Sequence, residues 1–207
     1  MKPLPRLYAF ADASFGDPVR LAETLFDAGA RIVQVRNKKG TARELLQQVE
    51  RILSVAPHGA EIIVNDRVDV ALIAGAGGVH LGQDDLPPVE ARRILGPDRM
   101  IGMSTHSPGQ ATEAEKLPVD YVAVGPIFPT ATKENPHPVV GLENLRAICR
   151  VIRKPVVAIG GIRLENAVDV LHAGASSIAV ISDVLSARDV ASRVQSWIER
   201  LNAFHRG

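Results

Sequence analysis

The chain is short of several features, and each shortage excludes something. Among 207 residues there is one cysteine, Cys149. A lone thiol forms no internal disulfide, and the Cys/His spacing of a structural zinc site is missing as well. Cys149 sits in an apparent helix with no loop or base beside it, so it reads as a small apolar residue rather than a nucleophile. Charge of one sign is also scarce. The net charge is +1, from 24 basic and 23 acidic residues that are scattered rather than massed, which gives no argument for a nucleic-acid partner. Nothing approaches the roughly 18 consecutive apolar residues of a membrane span. The opening MKPLPRLYAFAD carries two prolines and charge within its first six residues, unlike a signal peptide. The expectation is a cytoplasmic protein with no nucleic-acid or membrane partner; a homo-oligomer stays open.

What is present is core material in a repeating order. Hydrophobic residues make up 46% of the chain, enough for one large domain over 1–207. Short apolar runs fall at 7–11, 31–36, 61–64, 78–81, 100–103, 121–124, 156–159 and 177–181. Between them lie helical patterns, at 18–28, up to about 55 behind Thr41, at 68–74, from Pro87-Pro88 to before Gly96, from Pro108 to before Pro118, at 142–152 and at 164–173. A final helix is expected to run to about Asn202. Thr41 followed by Glu44 spells a capping box. The apolar runs are continuous rather than alternating, as parallel strands covered on both faces require. Eight strand-then-helix units imply an α/β fold, a closed (β/α)8 TIM barrel with its site at the C-terminal ends of the strands. An open doubly wound sheet is the competitor, and the first strand-to-helix turn lacks its G-x-G-x-x-G signature.

In such a barrel the residues after each strand converge on one mouth. After the second strand come Gln34, Arg36 and Lys38. Alternation puts Gln34 and Arg36 on one side of the strand, and the two cations with an amide suit a highly charged anion such as a diphosphate. After the third and fourth strands come Asn65, Asp66 and Asp85. Two carboxylates beside a cationic clamp suit Mg2+, which takes one or two carboxylates plus phosphate oxygens and water. Asp66, and Asp84 or Asp85, could instead cap the following helices. His80 reads as a hydrogen-bonded core residue. After the fifth strand sits Ser104. The sixth runs into Gly125-Pro126 and then Thr130, Thr132 and Lys133, either a polar surface loop or a hydroxyl-and-ammonium group for a phosphate. Gly160-Gly161 follows the seventh strand and Ile181-Ser182 the eighth, where barrels commonly hold a phosphate monoester. Two anion sites on one rim suggest a transferase that joins two phosphorylated substrates and expels diphosphate.

At QVRNK (34–38), VNDRVDVA (64–71), GVHLGQDD (78–85), STHS (104–107), GPIFPTATK (125–133), GL (141–142), AIGGI (158–162) and AVIS (179–182), the chain resembles the thiamine-phosphate synthase family, with the segments in family order. The resemblance implies a transferase for two small phosphorylated molecules, a pyrimidine diphosphate and a thiazole phosphate, yielding thiamine phosphate and diphosphate through a pyrimidine-methylene cation. It implies that Gln34, Arg36, Lys38 and Asn65 bind the pyrimidine substrate and its diphosphate, with Val35 and Asn37 between them. It implies Mg2+, one per active site, on Asp66 and Asp85, and Ser104 near the pyrimidine and diphosphate. Thr130 and Thr132 would contact the thiazole, with Ala131 between them, and Lys133 the diphosphate. Gly161, Ile181 and Ser182 would cradle the thiazole phosphate. Arg36, Lys38, Ser104 and Lys133 would carry the catalytic work. Two alternatives stand beside it. A thiazole tautomerase-like enzyme should carry a histidine after the strand-six glycine, where this chain has Pro126. A non-catalytic thiazole-phosphate-binding regulator should have lost Asp66 and Asp85. Glu134, Asp84, His106 and His137 have no assigned role.

Overall fold

The computed structural model describes residues 4–130 and 137–204. Eight strands close into one parallel barrel in chain order: β1 (Leu7–Asp12), β2 (Ile32–Arg36), β3 (Glu61–Asn65), β4 (Gly78–Leu81), β5 (Met100–Thr105), β6 (Tyr121–Val124), β7 (Val156–Ile159) and β8 (Ser177–Ala179). Around them lie α1 (Pro18–Asp27), α2 (Ala42–Val55), α3 (Val68–Ala74), α4 (Pro88–Leu95), α5 (Pro108–Lys116), α6 (Gly141–Val151), α7 (Ala167–His172), α8 (Ser182–Leu185) and α9 (Val190–Asn202). The expected closed barrel is therefore what forms.

Local chemistry explains most boundaries. Thr41 caps α2 with the reciprocal bonds of a capping box, its hydroxyl accepting from the Glu44 N–H while Glu44 accepts from the Thr41 N–H. Asp17 and Ser107 cap α1 and α5, each ahead of a proline in the first turn. Each long helix buries one stripe at three- and four-residue spacing: Leu45, Val49 and Ile52 in α2, and Val194, Trp197 and Leu201 in α9. Among the described residues, no helix is long and apolar enough to cross a membrane.

Four boundaries differ from expectation. β5 continues through Ser104 and Thr105, which pair with Ala123 and Val124 of β6; their polarity suggested a loop, but barrel pairing carries the strand on. β8 stops at Ala179, because Ile181 turns away (φ −112°, ψ −82°) to open α8. The expected single final helix is two. Asp189 caps a fresh start by accepting from the Ser192 N–H, while Asp183 of α8 accepts from Arg193 and Trp197 of α9 and ties the pair together. A turn of 3-10 helix, Leu164–Asn166, precedes α7.

The seam between first and last strands is the narrowest. β1 and β8 share only Leu7↔Ile178 and Tyr8↔Ala179 in register. It is reinforced from outside: the Ser177 hydroxyl donates to the Pro5 carbonyl (2.7 Å), and the Arg6 guanidinium donates to the Phe204 carbonyl (2.6 Å) beyond α9.

Candidate active site

The rim over β2, β3 and β4 is built from paired charges. Arg36 ends β2 opposite Asp12 at the end of β1, and its Nη1 meets Asp12 Oδ2 at 2.6 Å. Asp12 is 2% exposed and also accepts from the N–H and hydroxyl of Ser14, so the guanidinium is held from behind. Lys38 Nζ lies 3.0 Å from Asp66 Oδ2. Asp66 follows β3 in a left-handed conformation (φ 62°) that aspartate tolerates better than most side chains, and its N–H bonds the His80 carbonyl at 2.8 Å. Asp85 accepts from the Gly82 N–H at 2.6 Å. Burial, and then the neighbouring Asp66 carboxyl, push the Asp85 carboxyl above the ordinary range. Neither aspartate caps a helix: the cap positions of α3 and α4 are Arg67 and Pro87, without side-chain caps. The two carboxyls thus face each other at a cost. Among the described residues no group of three or more His, Cys, Asp or Glu forms a cation cage. A two-carboxylate pair fits a hard divalent cation only if ligand oxygens and water complete its shell.

Among the described residues, the opposite side of the mouth is a pocket with few charges. Arg36 and Ser104 line it together with His106, Thr130, Gly161, Ile181 and Ser182, so residues from β2, β5, β6, β7 and β8 meet there. The loop after β6 is fastened across β7: the Ile127 N–H bonds the Ile159 carbonyl and the Phe128 N–H bonds the Gly160 carbonyl, both at 3.0 Å. That placement carries Thr130 into the pocket wall. Gly161 needs to be glycine on two counts. Its φ is 65°, and a Cβ there would lie 2.5 Å from the Pro129 carbonyl oxygen.

The family model for thiamine monophosphate synthase matches residues 7–184. The chain belongs to that family. It is 45% identical to the thiamine-phosphate synthase of Koribacter versatilis (strain Ellin345), over 97% of both chains. It is 51% identical to that of Chlorobium phaeovibrioides (strain DSM 265 / 1930), over 81% of this chain and 80% of the other. Among solved structures, the thiamine phosphate pyrophosphorylase from Pyrococcus furiosus superposes with a TM-score of 0.88 at 37% identity, covering 95% of each chain.

Most positions expected for a thiamine monophosphate synthase fall at this mouth. Asn65 is half-buried beside Asp66. Ser104 belongs to β5 rather than to a loop after it. Val35 is fully buried, and alternation turns its side chain away from Gln34 and Arg36. Asn37 is engaged in its own loop, donating to Gln48 Oε1 and accepting from the Gly40 N–H. Ala131, Thr132, Lys133 and Glu134 lie outside the described residues. His137 is exposed, yet its ring stacks on His106 with centroids 3.6 Å apart, and His106 Nδ1 donates to the Gly125 carbonyl.

Sequence reasoning put Gln34 and Ser104 at the pyrimidine substrate and His80 in the core, but it gave no role to Tyr8 or Tyr121 and did not foresee that all five join in one hydrogen-bonded chain. Gln34 is 2% exposed, and its Nε2 donates to the Tyr8 hydroxyl at 2.9 Å. The Tyr8 and Tyr121 hydroxyls are 2.9 Å apart, His80 Nδ1 lies 3.0 Å from the Tyr121 hydroxyl, and His80 Nε2 lies 2.8 Å from Ser104 Oγ. Burial pushes both phenols well above their ordinary range, so both stay protonated. Gly102 makes room for this chain: a Cβ there would fall 2.0 Å from the Tyr121 ring. The expectation of a hydrogen-bonded core histidine holds for His80. The signal that could have revealed the rest is the coincidence of Tyr, Gln, His and Tyr within strands otherwise made of aliphatic residues. Asp12 was equally silent, a strand-ending aspartate with nothing local to mark it as the support of Arg36.

Proposed function

We propose that this chain is a thiamine-phosphate synthase, joining a 4-amino-5-(diphosphooxymethyl)pyrimidine to a thiazole ethyl phosphate with loss of diphosphate. The observation that carries this reading is the one pocket onto which Arg36, Ser104, Thr130, Gly161 and Ser182 converge from five strand ends. The activity named for the Koribacter and Chlorobium relatives supports it.

Asp66 and Asp85 would hold Mg2+. The fit rests on the donor set: two carboxyls from the ends of adjacent strands beside Lys38, the oxygen ligands a hard divalent cation takes together with phosphate oxygens and water. Bound there, the ion would supply positive charge to the leaving diphosphate. Arg36, braced by Asp12, and Lys38 would bind and neutralise the same group as the carbon–oxygen bond breaks. The electron-rich aminopyrimidine stabilises the methylene cation left behind, and the thiazole nitrogen captures it. No protein nucleophile is required. The positive-φ glycine at 161, with Ile181 and Ser182, would bring backbone close to the thiazole phosphate and orient the ring nitrogen toward the cation. Thr130 and Thr132 would contact the thiazole substrate, and Lys133 the diphosphate.

The test is diphosphate release by the purified protein. Release that requires both substrates and Mg2+ is the expected result. Release with the pyrimidine alone at the full rate, or none under any combination, would remove the assignment.

A further inference from the structure

The buried chain Gln34, Tyr8, Tyr121, His80, Ser104 crosses the barrel from β2 to β5 through four hydrogen bonds. Each hydroxyl has one proton to give, and a buried donor left without an acceptor is costly. The direction of the whole chain therefore follows from its first link. The Gln34 amide N–H donates to Tyr8, so the Tyr8 oxygen is an acceptor there and its own proton must go to Tyr121. The Tyr121 proton then goes to His80 Nδ1. That makes His80 the Nε2–H tautomer, and Nε2–H donates to Ser104 Oγ. Ser104 Oγ is left with its one proton unspent and one of its two lone pairs engaged from behind. With the Gln34 amide turned over, every arrow would reverse, and Ser104 would spend its proton on His80.

We infer that this relay fixes Ser104 as a hydrogen-bond donor into the substrate pocket, with Tyr8, Tyr121 and His80 as positioning residues set by the Gln34 amide. Ser104 lines the pocket, so the proton it keeps is available to a lone pair of the bound substrate, either a phosphate oxygen or an unprotonated ring nitrogen. The glycine at 102 belongs to the same device, since any side chain there would displace the Tyr121 ring.

The inference rests on the synthase reading only for the identity of the substrate, and its tests separate the two. The first uses the ligand-free, unmutated protein, labelled with nitrogen-15 at histidine. Two-bond nitrogen–proton correlations report the His80 tautomer, with the His80→Gln variant used only to assign the signal. The neutral Nε2–H form is expected; the Nδ1–H form or a doubly protonated ring overturns the inference whether or not the protein makes thiamine phosphate. The second is a double-mutant cycle on turnover, with circular dichroism on the same samples. Tyr121→Phe should lower kcat by about tenfold, the scale of one well-placed hydrogen bond. Combined with Ser104→Ala it should add nothing further. Full additivity would show that Tyr121 does not act through Ser104 and would overturn the inference.

Discussion

The two sides of the barrel mouth are built in opposite ways. Over β2 to β4 the means is charge: Arg36 on Asp12, Lys38 on Asp66, and Asp66 against Asp85. Over β6 to β8 it is shape: a glycine turn, a fastened loop and the chain reversal at Ile181. On the charged side, burial and then the Asp66 carboxyl hold the Asp85 carboxyl above its ordinary range. On the other side the backbone sets the shape, through the left-handed turn at Gly161 and the bonds from Ile127 and Phe128 to β7 and Gly160. A leaving group that departs with a cation suits the first arrangement, and a substrate that must be aimed suits the second.

That contrast can be broken at several points. The largest effect is expected at Asp85. Asp85→Asn should cut turnover by about 100-fold or more, the scale seen when a group stabilising developing charge is lost. In chelator it should also raise the melting temperature, because the opposed pair is gone while the amide oxygen still accepts from Gly82. Calorimetry beside the assay checks both signs, and a fall in melting temperature would show that the pair is not strained.

Next comes the neutral side. Gly161→Ala forces a side chain into a left-handed position against the Phe128 and Pro129 carbonyls. It should cost about 1–3 kcal/mol of stability and raise KM for the thiazole phosphate far more than for the pyrimidine diphosphate. Equal changes in both constants would mean that the two sides are not separable. Asp12→Ala removes the brace from Arg36 and leaves a guanidinium without its buried partner. A loss of about 3 kcal/mol is expected by urea titration, with weaker diphosphate binding by calorimetry. The smallest effect belongs to a site remote from the mouth. Thr41→Ala should cost about 1 kcal/mol through the lost cap of α2 and leave turnover unchanged.

Much of this was legible beforehand, for identifiable reasons. β2, β3 and β6 are aliphatic runs bounded by turn residues, so their existence and order could be read directly. The capping box at Thr41 and the stop at Gly75 are local signals and fell where expected. Strand ends were less legible, since Ser104 and Thr105 look like loop residues until β6 pairs with them. The break between α8 and α9 depends on Asp183 meeting Arg193 and Trp197, a contact ten or more residues apart. The interior relay was the least visible. Tyr121 opens an apolar run and Tyr8 sits inside one, so both pass for core aromatics. Only barrel closure brings β1 within reach of β6, and no local pattern encodes that distance.

The narrow seam between β1 and β8 also has a bearing on how the protein is made. During synthesis β1 has no neighbour on one flank until residues near 180 have left the ribosome, and the Arg6 clasp must wait for Phe204. Until then the strands already made form an unclosed sheet with two unpaired borders. β8 is the key that locks the ring.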